Sequence, residues 1–210
     1  MNQLLKVLFT SVALFLVLPT TANATEKGQS LQDYVNQLST FKADFVQVQP
    51  DEATFSENRS TGRFELSRPG QLVWEYIQPE EQKIVVDGLN LWFYDLDLDQ
   101  VTVRPIDDVK NELPLSWLLY KDPIEEKFTI IESKMADGEQ WFNLVPKAVT
   151  FFQSIDVAMK DGEMTEVWMY QSTDNITKVR FNNIQSNSVI PYQTFQFQLP
   201  AGVDLVGSPQ

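Results

Sequence analysis

The chain has 210 residues, of which 43% are hydrophobic and 21% are charged, a composition typical of one folded domain and not of a disordered segment. Sixteen Lys and Arg against 29 Asp and Glu give a formal net charge of −13, which disfavours binding to nucleic acid and to anionic membrane surfaces. The absence of His and Cys excludes Ser-His-Asp and Cys-His nucleophiles, thiolate and imidazole metal sites, and disulfides. We expect no cofactor.

The N-terminus has the pattern of a secretory signal peptide. Lys6 precedes an apolar stretch, Val7–Leu18, and Ala22–Ala24 supplies the small residues that precede a cleavage point. As a helix this stretch spans about 18 Å, too short for the roughly 30 Å hydrocarbon core of a bilayer. We expect residues 1–24 to be cleaved and residues 25–210 to form one exported domain without a membrane anchor.

One amphipathic helix begins the predicted domain. Leu31, Tyr34, Val35 and Leu38 recur at helical spacing, and Ser30 is placed as the N-cap.

Beyond this helix the periodicity changes to two, which predicts β-strands. Phe64 and Leu66 alternate with polar residues, and Phe195 and Phe197 do the same near the C-terminus. Similar runs predict further strands at 41–48, 72–76, 82–86, 89–95, 100–104, 128–134, 140–145, 154–159, 164–170 and 176–182. Asp-Gly pairs at 87–88, 137–138 and 161–162 favour hairpin turns, because a type I′ turn needs positive φ. The pattern predicts an antiparallel, meandering sheet.

An apolar helical insert interrupts the strands between Asp107 and Asp122. Pro114 suits the first turn of a short helix and Pro123 suits its end. We predict a mainly β fold with short helices (α+β): an incomplete, strongly curved antiparallel β-barrel whose concave side the helices cover. The five Trp, six Tyr and 14 Phe residues could fill the core or line a cavity, and composition alone favours the core.

Three alternate carboxylates invite a calcium interpretation. Asp95, Asp97 and Asp99 supply the oxygen ligands that Ca²⁺ prefers. Gln100 stands where an EF-hand loop needs Gly, and Ile106 stands where it needs the closing Glu. We predict no metal site.

The segment from Arg68 to Val101 is the most informative part of the sequence. It holds, in order, Arg68-Pro69-Gly70, Trp74, Pro79, Gln82, Asp87-Gly88, Trp92, Tyr94-Asp95 and Gln100-Val101. The pattern continues with Leu144–Lys147 and with Phe195, Phe197, Pro200 and Gly202–Asp204. This ordered set closely resembles the periplasmic outer-membrane lipoprotein carriers, the LolA-type family.

The resemblance implies an unclosed antiparallel barrel with a helical lid over a hydrophobic cavity that receives the acyl chains of lipoproteins. It implies no catalysis. A carrier of this family takes lipoproteins from an inner-membrane ATP-driven release complex and passes them to an outer-membrane lipoprotein receptor. We accordingly expect a periplasmic monomer that carries lipoproteins.

The resemblance also assigns roles to individual residues. Arg68 matches the family's functional arginine, which holds the lid by hydrogen bonds. The residues expected to line the acyl-chain cavity are Leu72, Trp74, Tyr76 and Trp92. Those expected on the lid helix are Leu115, Trp117, Leu118 and Leu119. Because strand side chains alternate, Val73 should face the other side of the sheet from Leu72 and Trp74.

Two other hypotheses stay open at this point. A secreted hydrolase needs only two carboxylates that converge within about 10 Å, although no local spacing points to such a pair. A structural protein of the cell envelope that binds no lipid is the second.

Overall fold

The computed structural model describes residues 29–51, 56–110, 113, 115–136, 138–172 and 175–210. The predicted signal peptide, Pro114 and Asp137 lie outside these residues. Within the described ranges the chain forms one sheet of twelve strands, accompanied by four α-helices and one 3₁₀ helix.

The helices are α1 (Gln29–Gln37), α2 (Ile106–Val109), α3 (Ser116–Leu119) and α4 (Ile124–Lys127), and the 3₁₀ helix spans Tyr192–Phe195. The strands are β1 (Thr40–Asp51), β2 (Ser56–Ser67), β3 (Gln71–Gln78), β4 (Gln82–Val86), β5 (Asn90–Asp95), β6 (Gln100–Pro105), β7 (Phe128–Ala136), β8 (Glu139–Pro146), β9 (Ser154–Lys160), β10 (Glu163–Tyr170), β11 (Ile176–Ser186) and β12 (Asp204–Gly207). Their order across the sheet is β12-β6-β5-β4-β3-β2-β1-β11-β10-β9-β8-β7.

The sheet is open and curled. Strands β12 and β7 are its two edges, so it does not close on itself. Leu72 of β3 and Met169 of β10 nevertheless line one cavity, although their strands are four places apart in the sheet. In a flat sheet that separation would be about 19 Å, because neighbouring strands lie about 4.8 Å apart. The predicted incomplete, curved sheet with short helices is confirmed.

One pairing differs from the antiparallel prediction. Strand β12 runs parallel to β6, with Leu205 opposite Val101, whereas the other pairs are antiparallel. The prediction of a strand at Phe195 and Phe197 is wrong. Phe195 ends the 3₁₀ helix and packs on the outer face of the sheet, so this segment buries its aromatic residues without pairing at an edge.

The helices also differ in detail from the prediction. Ser30 lies inside the first turn of α1 and is not its N-cap, because the helix begins at Gln29. The described part of the insert forms two one-turn helices, α2 and α3, in place of one helix, and α4 follows it. Pro123 does not end a helix but precedes α4, and its φ of −57° lies in the range to which the proline ring is restricted. We call the described residues of 106–127 the lid.

The inner face of the sheet, α1 and the lid share one hydrophobic core. Helix α1 contributes Leu31 and Val35, and Leu38 follows it on the same side, at the predicted spacing. The lid contributes Ile106, Val109, Leu115, Trp117, Leu118, Leu119 and Ile124. Burial of these residues holds the lid against the sheet.

A second, smaller cluster covers part of the outer face. Val73 and Val85 pack there against Phe195, and Trp92 and Phe197 pack at its margin. Val73 therefore faces away from Leu72 and Trp74, as alternation predicts. It is nonetheless buried, because the chain beyond β11 returns over this face.

Candidate functional site

An apolar cavity of about 230 Å³ lies between the inner face of the sheet and the lid. Five strands contribute to its wall, together with the lid and the loop between β8 and β9. Apolar side chains from the sheet and the loop dominate it, including Leu72, Ile84, Met169 and Phe152. Leu115 and Leu119 close it from the lid side.

Aromatic rings of β3 line one wall of the cavity, and a ring of β1 packs against them. Trp74 and Tyr76 stack with their ring centroids 6.0 Å apart, and the ring of Phe45 meets both of them edge-on. The Tyr76 hydroxyl donates a hydrogen bond to Gln47 Oε1 at 3.0 Å. Burial raises the pKa of Tyr76 to about 12, so this hydroxyl stays neutral near pH 7.

Leu72, Trp74 and Tyr76 thus lie in the cavity wall, whereas the prediction for Trp92 is wrong. Trp92 lies opposite Val85 in the β4–β5 ladder, which places it on the outer face. Its ring stacks on Phe197 with the centroids 4.9 Å apart. Its indole nitrogen donates to Asp87 Oδ2 at 2.7 Å. Trp92 is therefore part of the cluster beneath the C-terminal segment.

The bond from Trp92 makes a pH-dependent contribution to stability. Burial by itself would raise the pKa of Asp87, but hydrogen bonds from Trp92 and from the amides of Asn90 and Leu89 lower it overall. Such a contribution is present above the pKa of an unfolded aspartate, about 3.9, and is lost as pH falls through the lower folded-state pKa.

We expect Trp92→Phe to lower the free energy of unfolding by about 1 kcal/mol at pH 7, because Asp87 is only partly buried and solvent weakens the bond. The difference should shrink toward pH 3. Urea unfolding at both pH values measures it. Tyr94→Phe is the matched control, because Tyr94 lies on the same face of β5 and its hydroxyl has no hydrogen bond within the described residues. If Trp92→Phe lowers the free energy of unfolding by the same amount at both pH values, the hydrogen bond to Asp87 is not the source of the pH dependence.

The four predicted lid residues are all buried, in two different settings. Leu115 and Leu119 line the cavity, whereas Trp117 and Leu118 are buried in the core around it. Sequence reasoning missed the loop between β8 and β9, where Phe151 lines the cavity and is 67% exposed. The sequence feature that could have indicated this loop is a pair of adjacent Phe residues, Phe151 and Phe152, in a stretch with no strand periodicity.

Arg68 joins α1 to the lid. Its Nη1 donates to the carbonyl oxygens of Val35 and Leu38, and its Nη2 donates to the carbonyl oxygen of Tyr120. The residue is 9% exposed. Burial lowers the pKa of Arg68 and the charge of Asp122 opposes that shift, but a guanidinium keeps its charge in proteins. One buried cation therefore satisfies three carbonyls at the ends of two helical segments.

The turn that carries Arg68 contacts the same two segments through its backbone. The Arg68 amide donates to the Ser39 carbonyl at 2.8 Å, and the Gly70 amide donates to the Leu119 carbonyl at 3.0 Å. Gly70 has φ of 77°, in the left-handed region that favours glycine. The Arg-Pro-Gly sequence thus forms a turn that fixes the end of α3 beside the end of α1.

No helix within the described ranges is long and apolar enough to cross a membrane. Nor does the described part of the chain bring together three or more acidic side chains in a way that could hold a metal ion.

Comparison with known proteins agrees with this geometry. Residues 36–198 match the family described as outer membrane lipoprotein carrier protein LolA. Over 208 residues the chain is 33% identical to an outer-membrane lipoprotein carrier protein of Dechloromonas aromatica (strain RCB), with 99% of each chain covered. It is 35% identical over 208 residues to one from Nitrosomonas europaea, covering 98% of this chain and 99% of the relative.

A solved structure shares the fold. It is described as an uncharacterized conserved protein from Thermus thermophilus, and it superposes with a TM-score of 0.53 at 11% identity, covering 85% of this chain and 98% of that chain. The sequence matches extend over nearly the whole chain and the curled sheet encloses an apolar cavity. The chain therefore belongs to the outer-membrane lipoprotein carrier family, LolA.

Proposed function

We propose that this protein is a periplasmic carrier that binds the acyl chains of lipoproteins released from the inner membrane and delivers them to an outer-membrane receptor. The observation that carries the proposal is an apolar cavity closed by an apolar lid, which a buried arginine and one turn hold in place. Residues 1–24 act in this proposal as the cleaved export signal. The relatives are named as carriers, which gives no support to a hydrolase or a purely structural protein.

The closed cavity is too small to be the loaded state. Its volume of about 230 Å³ is below the roughly 300–1,000 Å³ of pockets that enclose small ligands. An acyl chain therefore enters only when the lid moves away from the sheet. Leu115 and Leu119 then exchange their contacts with the sheet for contacts with the cargo or for solvent.

The same exchange limits how tightly cargo is held. At about 0.8 kcal/mol per buried methylene, complete burial of one 16-carbon chain contributes roughly 12 kcal/mol. Three such chains would exceed the roughly 18 to 21 kcal/mol at which non-covalent affinity saturates. Partial burial, offset by lost contacts between lid and sheet, keeps the cargo transferable without any catalytic step.

The proposed route has two partners. An ATP-driven release complex in the inner membrane supplies the lipoprotein, and a receptor that is itself a lipoprotein accepts it at the outer membrane. In this proposal the carrier between them works as a monomer.

The test compares one lipoprotein with and without its acyl chains. The mature carrier is mixed with the acylated lipoprotein, or with a soluble form of it that lacks the acylated cysteine, and the complexes are separated by size-exclusion chromatography. We expect a one-to-one complex with the acylated form alone. Equal binding of both forms, or binding of neither, would contradict the proposed function.

A further inference from the structure

The apolar cavity also contains polar side chains, and these share two properties. All are neutral near pH 7, and all carry hydrogen-bond donors: Gln47, Trp74, Tyr76, Gln171 and Thr177. The cavity lining contains no Lys, Arg, Asp or Glu among the described residues.

Two of these donors lie close together on neighbouring strands. Gln47 of β1 lies opposite Val179 of β11, and Thr177 is two residues from Val179 on the same face of that strand. Gln171 follows β10 directly, and Met169 of that strand pairs with Thr177. Gln47, Gln171 and Thr177 therefore gather on one side of the cavity, across β1, β10 and β11, whereas Trp74 and Tyr76 lie on β3.

One of these groups is buried without a hydrogen-bond partner within the described part of the chain, and another has donors to spare. The indole N–H of Trp74 is buried and unpaired. Gln47 accepts a bond from Tyr76 through Oε1, which leaves the two amide hydrogens on Nε2 available. Thr177 is only 7% exposed. Buried donors without acceptors are uncommon in folded proteins, and each costs free energy unless a ligand or water satisfies it.

This combination selects a particular ligand chemistry. Unpaired donors require acceptors, and the absence of a cation disfavours a carboxylate, whose burial without a counter-charge is costly. A neutral carbonyl attached to an apolar chain meets both conditions. We propose that the cavity recognises the ester and amide carbonyls that link acyl chains to their head group, in addition to the chains themselves. This inference rests on the proposed carrier function and names the chemical feature by which the cavity selects its cargo.

The test uses three probes with the same hydrocarbon chain: methyl palmitate, the methyl ether of hexadecanol and palmitate. Each displaces a fluorescent acyl probe from the mature carrier at neutral pH. We expect the ester to bind about tenfold more tightly than the ether, because the ester has a carbonyl acceptor that the ether lacks and one neutral hydrogen bond typically contributes that much. Palmitate should also bind about tenfold more weakly than the ester, because its charge has no partner in the cavity.

Two variants test which residues produce the preference for the ester over the ether. Gln47→Leu combined with Thr177→Val should reduce the ester-to-ether preference to about one. If the double variant does not fold, Gln171→Leu tests the same side of the cavity, because Gln171 directly follows β10 and lines the cavity there. Gln193→Leu is the matched control, since Gln193 lies in the 3₁₀ helix outside the cavity.

The outcomes separate the two proposals. Equal affinity of the unmodified carrier for ester, ether and carboxylate would overturn this inference and leave the carrier function intact. Displacement by none of the three probes would overturn both. If the folded cavity variants still prefer the ester to the ether as the unmodified carrier does, the assignment of carbonyl recognition to these residues is overturned.

Discussion

Replacing Arg68 with Leu should give a folded carrier that accepts a lipoprotein but passes it to the receptor at least about tenfold more slowly than the unmodified protein. The substitution removes the donors that bind the Val35, Leu38 and Tyr120 carbonyls. These bonds exist when the lid is closed, so their loss raises the free energy of the empty, closed state relative to the loaded one. A hydrogen bond to a charged group contributes about 1.5 to 3 kcal/mol, which changes the equilibrium ratio of the closed, empty state to the loaded state by a factor of roughly ten to a hundred.

The measurement loads each variant with an acylated lipoprotein, adds the receptor and follows the amount transferred over time. Arg68→Lys should be intermediate, because a compact ammonium with three donors cannot reproduce the planar guanidinium that reaches two segments. Arg63→Leu is the matched control: Arg63 lies on the preceding strand, β2, is exposed and faces Glu75 at 4.0 Å. Transfer by Arg68→Leu at the unmodified rate would leave the arginine with no part in unloading.

A carboxylate placed in the cavity should abolish binding of acyl chains, whereas the same change at an exposed position outside the cavity should not. Ile84 lines the cavity and is partly buried, and Ile77 is 40% exposed and lies outside it. Ile84→Glu sets a charge against the bound hydrocarbon and should weaken binding by at least about a hundredfold. Ile77→Glu should change binding less than about twofold, because its side chain already faces solvent.

Fluorescence titration with an acyl probe measures both variants, after urea unfolding has shown that each is folded. The pair changes the same residue type in the same way, so a difference between them reports the position alone. Val73 would not serve as this control, because it is buried beneath Phe195 on the outer face and a charge there would unfold the protein. Equal loss of binding in the two folded variants would contradict the assigned cavity face.

The local pattern of the sequence determined most of the secondary structure. The predicted strand at 82–86 coincides with β4, and the spacing of Leu31, Val35 and Leu38 identifies the buried side of α1. These features depend on periodicity within a few residues, which the chain displays before it folds. The family resemblance likewise indicated Arg68 as a residue that holds the lid.

The tertiary structure decided which face of the sheet encloses the cavity. Alternation separates Leu72 from Val73, but it does not say that both will be buried. The curl of the sheet brings β3 and β10 around one cavity, and the residues after β11 return across the outer face to cover Val73 and Trp92. The partners of Arg68 also lie 30 to 52 residues away in the chain. Such contacts depend on how distant segments pack, and residue spacing along one strand carries no information about that packing.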